Sequence, residues 1–147
     1  MWNGYFGDVG RTVVCGNPSD EQRRVYRAVW NSLQAGIQAM RPGATNIEVT
    51  AAIRAAAEAD GLAQHFLSLF IGHGIGCGSN EPPYIGEAFP GAESVTLEPG
   101  MVFALEPLIW VPGIPGGGGV RLEDMIAITP DGARRISRSP YSQALLA

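Results

Sequence analysis

Phe66-Leu67-Ser68-Leu69-Phe70-Ile71-Gly72-His73-Gly74-Ile75-Gly76 is the stretch that decides how this chain is read. The apolar run 66–71 reads as a buried strand, so His73 is expected where that strand opens into a loop. The flanking glycines allow positive φ and close approach of the backbone to a ligand. A single His in such a place is ordinarily a satisfied core or loop residue. Its meaning changes because three carboxylates, Asp8, Glu106 and Glu123, lie in similarly constrained local patterns. A His with three carboxylates is a ligand set for a divalent metal of intermediate softness, such as manganese, cobalt, zinc or iron(II).

Downstream, residues 101–111 read as one long buried strand, and Glu106 stands out in it, because a carboxylate among apolar residues is costly unless paired or metal-bound. Pro107 removes a ladder donor there and suggests a bulge that aims Glu106 inward. Residues 120–128 read as another strand, with Arg121 and Glu123 on one face by the period of two. Thr129-Pro130-Asp131-Gly132 signals a turn, and residues 133–136 can return as a short strand. Upstream, residues 2–15 are rich in aromatic and β-branched side chains and read as an extended segment carrying Asp8. Between these lie two helices. Ser19 with Gln22 and Thr45 with Glu48 are capping boxes. The first opens an apolar face of Val25, Val29, Trp30, Leu33, Ile37 and Met40 that Arg41-Pro42-Gly43 stops. The second carries Val49, Ala52, Ile53 and Ala56 and runs to about Asp60, with Gly61 as terminator.

The 147 residues suit one domain, and 46% apolar with 16% charged residues fits a globular chain rather than a disordered one. A net charge of -4 without a basic run argues against nucleic acid as partner. No run reaches the roughly 18 apolar residues of a membrane span. Cys15 and Cys77 are expected as free thiols in a cytoplasmic protein. Twenty glycines and eleven prolines cluster at 72–91 and 112–119, which points to a site built from loops.

Gly4-Tyr5 and Asp8-Val9-Gly10-Arg11-Thr12 resemble the Gly-Tyr-x-x-Asp-x-x-Arg-Thr motif of the pita-bread metallopeptidases, the family of methionine aminopeptidase, aminopeptidase P, prolidase and creatinase. Residues 72–76, Glu106-Pro107 and Val120-Arg121-Leu122-Glu123-Asp124 match three further motifs in the same order. The register is nearest to the Xaa-Pro peptidases. The resemblance implies an α+β pita-bread fold, here only its C-terminal part, as a curved antiparallel sheet with packed helices. It implies two divalent metals, manganese first, with Asp8 and Glu123 bridging them and His73 and Glu106 completing the shell of one. Glu106 would also serve in catalysis, and Tyr5, Asn80 and Arg121 would face a small peptide or amide substrate. A homodimer is implied for the full-length form.

Where this chain departs from the family, the expectations shift. A further metal-binding Asp would fall ahead of Met1, as would the first half of the fold, so residues 1–147 read as a partial catalytic domain. The helix face from Val25 to Met40 would then normally pack on the absent half. With one chelating Asp outside the chain, a single tightly held metal is expected rather than two. Proline-specific relatives carry histidines at the positions of Leu69 and Asn80; Leu69 cannot donate a hydrogen bond, and Asn80 donates but cannot shuttle a proton. The leading expectation is a metal-dependent hydrolase of peptide or amide C–N bonds, resembling an Xaa-Pro aminopeptidase or dipeptidase. The alternatives are a creatinase-like hydrolase or lyase acting on a small non-peptide metabolite, and an inactive truncated module.

Overall fold

A computed structural model describes residues 1–67, 70–87 and 93–147. Both helices form where the capping boxes put them. Helix α1 spans Asp20–Ala39 and α2 spans Asn46–Ala59, with reciprocal Ser19/Gln22 and Thr45/Glu48 bonds at their N-termini. Each box satisfies otherwise orphaned backbone groups and stabilises its helix by about 1 kcal/mol. Val25, Val29 and Leu33 on α1, and Met40 at its C-cap, are buried in this chain's own core, with Trp30 and Ile37 packed against it. The expectation that this face needs an absent half is therefore corrected. It is covered by α2, by the sheets and by residues of the C-terminal helix α3 (Gln143–Leu146). On α2 the buried face is Val49, Ile53 and Ala57, with Ala52 and Ala56 at its margin.

Among the described residues the strands form two antiparallel sheets, an α+β arrangement. The first orders β1 (Phe66–Leu67), β5 (Leu108–Trp110) and β6 (Gly119–Arg121). The second orders β3 (Glu81–Ile85), β2 (Gly72–Gly74), β4 (Val102–Leu105), β7 (Asp124–Thr129) and β8 (Gly132–Arg135). The two long strands expected at 101–111 and 120–128 are each broken in the middle. Leu105 lies opposite Asp124 and Leu108 lies opposite Arg121, so one register runs through both breaks. The four pieces are thus a single hairpin kinked at its waist, passing from one sheet to the other. Pro107, which has no N–H to give, sits in the break. By that register Glu106 and Glu123 fall opposite each other at the kink.

At the waist the freed backbone groups bond outward. Glu106 N–H donates to the Ile71 carbonyl at 2.8 Å, and Glu123 N–H donates to the Gly10 carbonyl at 2.9 Å. One side of the kink thereby receives β2, the other the segment around residues 8–12. That segment is the second correction, since residues 2–15 form no regular strand. Asn3 (φ 48°) and Gly4 (φ 87°) turn the chain sharply, with mutual backbone bonds between Trp2 and Tyr5. Asn-Gly is the strongest short turn signal, and the aromatic propensity of its neighbours masked it. Gly10–Glu123 backbone bonds, a reciprocal pair between the Thr12 hydroxyl and the Arg121 backbone, and the Arg11 side chain bonded to the Glu123 carbonyl and the Asp124 carboxylate hold residues 8–12 against the kinked strand.

The third correction concerns the glycines around His73. His73 lies inside strand β2 rather than at a loop mouth, and neither Gly72 nor Gly74 has positive φ. They are small because neighbouring backbones press on them. A Cβ on Gly72 would stand 2.8 Å from the Ala104 carbonyl oxygen, and one on Gly74 would stand 2.8 Å from the carbonyl oxygens of both Glu81 and Pro82. Ala is ordinarily better than Gly inside a strand by about 0.5–1 kcal/mol. Gly74→Ala should reverse that sign and cost about 1–3 kcal/mol as an overpacked site. Urea unfolding measures it, and an unchanged or raised midpoint would show that β2 and β3 separate at little cost.

Candidate metal centre

His73 is 1% exposed, with its ring stacked on Phe70 at 5.3 Å between centroids. Its Nδ1 lies 2.9 Å from the Gly74 carbonyl oxygen. A carbonyl only accepts, so Nδ1 carries a proton, and Nε2 is the ring nitrogen turned outward. Around Nε2 the carboxylates converge. Glu106 Oε1 is 3.5 Å from Nε2 and Asp8 Oδ2 is 4.0 Å from it. Asp8, His73 and Glu123 each offer a donor atom within 4.8 Å of the others. Donors on opposite sides of a cation with bonds of 2.0–2.2 Å stand no more than about 4.4 Å apart. The cluster therefore fits a cation with a small inward movement of Asp8, whose side chain is 44% exposed.

Electrostatics favours the same reading. Glu106 and Glu123 are buried, at 5% and 6% exposure. Burial, then the charges of Glu106 and Asp8, and a hydrogen bond with Asp8 push the Glu123 carboxyl up to about 8. Burial likewise raises Glu106, opposed chiefly by the Arg121 guanidinium. Two buried carboxyls raised in this way hold their protons more tightly unless a cation replaces them.

Of the residues singled out in the sequence, Asp8, His73, Glu106 and Glu123 are brought together, and Arg121 joins them through a 2.8 Å ion pair with Glu106. Glu123 is not the surface ion-pair partner of Arg11 or Arg121 that its neighbourhood in sequence could suggest. Arg11 pairs with Asp124 at 2.6 Å and Arg121 with Glu106. Tyr5 stands apart, 62% exposed and lining a shallow surface hollow with Trp2, Phe6 and Met125. Asn80 is exposed in the loop ahead of β3. Leu69 lies outside the described residues. Two features escaped sequence reading. The Phe70 ring under His73 was hidden inside a generic apolar run. Asp124, wholly buried beside Glu123, was assigned no role because the period of two put it on the opposite strand face. Its position in Leu122-Glu123-Asp124, an acid at the edge of an apolar strand, was the available signal.

The chain matches the family described as Metallopeptidase family M24 over residues 1–130. It is 38% identical over 145 residues to the uncharacterized peptidase YqhT of Bacillus subtilis, covering 99% of this chain and 39% of that protein. With the Xaa-Pro dipeptidase of Pyrococcus furiosus it shares 33% identity over 139 residues, covering 95% of this chain and 38% of the other. Among solved structures, dipeptidase PepE from Mycobacterium ulcerans superposes with a TM-score of 0.82 at 36% identity, covering 95% of this chain and 35% of that one. The chain thus spans a little over a third of the length of these relatives, and its fold is the corresponding part of the pita-bread fold. Over that extent, the order of its motifs, the kinked hairpin and the converging acid–imidazole cluster all agree: the chain belongs to metallopeptidase family M24.

Proposed function

We propose that residues 1–147 form the metal-site part of a pita-bread catalytic domain that hydrolyses peptide C–N bonds, with Xaa-Pro dipeptides as the substrate class. The observation that carries this reading is the convergence of Asp8, His73 and Glu123 donors within 4.8 Å, with Glu106 at the same imidazole nitrogen. The donor set suits manganese first, and cobalt, zinc or iron(II) next. A divalent cation held there supplies acidification of a water and polarisation of the scissile carbonyl. Asp8 and Glu123 hold and neutralise the cation, and His73 contributes its Nε2 lone pair. Glu106 holds one oxygen against Arg121 and turns the other toward the cluster, so it can accept a proton from the attacking water and return it to the leaving amine. Exposed free thiols at Cys15 and Cys77 accord with a cytoplasmic setting. Among the described residues no helix is long and apolar enough to cross a membrane. A homodimer is the proposed state of the whole protein. The second reading, a small non-peptide amide as substrate, is favoured by Asn80 and Leu69, which lack the proton-transfer chemistry of the histidines at those positions in proline-specific relatives.

Hydrolysis is tested on the manganese-loaded chain with a panel of Xaa-Pro dipeptides and small amides, following proline or ammonia release. Turnover of the dipeptides that falls by about 10²-fold or more in Glu106→Gln is expected. Turnover confined to small amides would favour the second reading, and a metal-loaded chain inactive on both would sink the hydrolase reading of this chain. Asn80→His should raise dipeptide turnover, by up to about 10²-fold if its imidazole enters proton transfer. No change on either substrate class would show that residue 80 does not face the reacting groups.

Stability gives an independent check. Folded, Glu123 keeps its proton up to about pH 8, whereas in the unfolded chain the carboxyl ionises near its ordinary value of 4.5. Between these values the folded state binds the extra proton, so the metal-free chain must lose stability as pH rises through that window. Added manganese should abolish the loss, since it stabilises the deprotonated site by mass action. Thermal unfolding from pH 5 to 8 with and without manganese reads this out, and a metal-free midpoint that climbs with pH would contradict the arrangement.

A further inference from the structure

Asp124 is fully buried at the start of β7, directly after Glu123, and it lies outside the metal-ligand cluster. Its carboxylate accepts hydrogen bonds from Arg11 Nη2 at 2.6 Å, from the Ser137 hydroxyl at 2.5 Å and from the Tyr141 hydroxyl, with Arg135 Nη1 3.6 Å away. Arg11 is held more completely still. Nη1 donates to the carbonyls of Gly10 at 2.8 Å and Glu123 at 2.6 Å. Nη2 donates to Asp124 and to the Ser139 carbonyl at 2.7 Å, and Nε donates to the Pro140 carbonyl at 3.2 Å. All five donors of the guanidinium fork are therefore used, and the Tyr141 ring covers its face at 4.5 Å.

This arrangement joins two backbones that have few other ties. Arg11 follows Asp8 closely on the segment that forms no regular strand, while Asp124 adjoins Glu123. We propose that Asp124, acting through Arg11 and braced by Tyr141, is a positioning residue that fixes the separation of the Asp8 and Glu123 carboxylates and thereby sets the affinity of the site for a divalent cation. The inference rests on the metal-site reading above. None of the three side chains is counted among the ligands; their effect passes through the backbone at residues 8–11 and 123–124. Lys in place of Arg11 would keep the charge but has three donors on a rotating head and no planar fork, so it cannot hold the Gly10, Glu123, Ser139 and Pro140 carbonyls together with Asp124. Asn in place of Asp124 would keep the shape and lose the charge that orients the fork.

The test is cobalt(II) titration of the 147-residue chain, read by visible absorption, alongside thermal unfolding of the metal-free protein. The variants are Arg11→Lys, Asp124→Asn and Tyr141→Phe, the last keeping the ring beneath Arg11 while removing one donor to Asp124. Arg11→Lys and Asp124→Asn should weaken cobalt binding about 10–100-fold and change the band shape that reports ligand geometry, with Tyr141→Phe showing a smaller effect in the same direction. Should Asp124→Asn fail to fold, Arg11→Lys and Tyr141→Phe decide the matter. Variants with a lower metal-free unfolding temperature but an unchanged cobalt Kd and spectrum would overturn the positioning role and leave the metal site standing. An unmodified chain that binds no cobalt would instead overturn the metal-site reading, and this inference with it.

Discussion

Glu106 and Glu123 face each other across the waist of one kinked hairpin with their side chains nearly out of solvent, and two carboxylates so placed cannot both ionise cheaply without positive charge between or beside them. Much of the surrounding structure answers that constraint. Arg121 neutralises one oxygen of Glu106 from the solvent side. Burial, with the charges of Glu106 and Asp8 beside it, raises the Glu123 carboxyl well above the ordinary carboxylate range. His73 points Nε2 into the same space because Nδ1 bonds the Gly74 carbonyl. A cation satisfies all of these groups at once, whereas an apolar ligand satisfies none.

The kink is what makes room for such a cluster. In an unbroken hairpin the backbone groups of Glu106 and Glu123 would bond to each other's strand, and the side chains would be spaced along a flat ladder. Here those groups bond to Ile71 and Gly10 instead, so a third and a fourth segment enter at the waist and bring His73 and Asp8 with them. The close packing at Gly72 and Gly74 follows from the same geometry, since β2 must lie tightly between β3 and β4 to deliver the imidazole to that level.

Much of this was legible in the sequence where local chemistry and global fold agree. Capping boxes at Ser19 and Thr45, the turn at 129–132 and the apolar face of α1 all act over a few residues, and the structure follows them. Motif order supplied the family and the pita-bread fold. What was not legible depends on distant partners. Residues 101–111 look like one strand because period and propensity carry no information about which sheet each half joins. The glycines beside His73 suggested backbone freedom, but their smallness serves neighbours that no local window contains. Asp124 carried no role in the sequence because its hydrogen-bond partners at 11, 137 and 141 are remote or lie beyond the strand.

Arg11 reaches carbonyls at Ser139 and Pro140, sequence separations of 128 and 129, while the cluster itself draws on residues 8, 73, 106 and 123. Contacts this non-local close large loops before they return any energy, so they tend to form late and slowly. Helices α1 and α2, built on short-range contacts, can be in place while the two distant segments are still searching for each other. The ligand cluster is then among the last parts of the chain to become ordered, and an early folding species would have its helices without a competent cation site. A cation bound by native geometry would accordingly act on the closing steps of folding rather than on its nucleus, slowing unfolding more than it hastens folding.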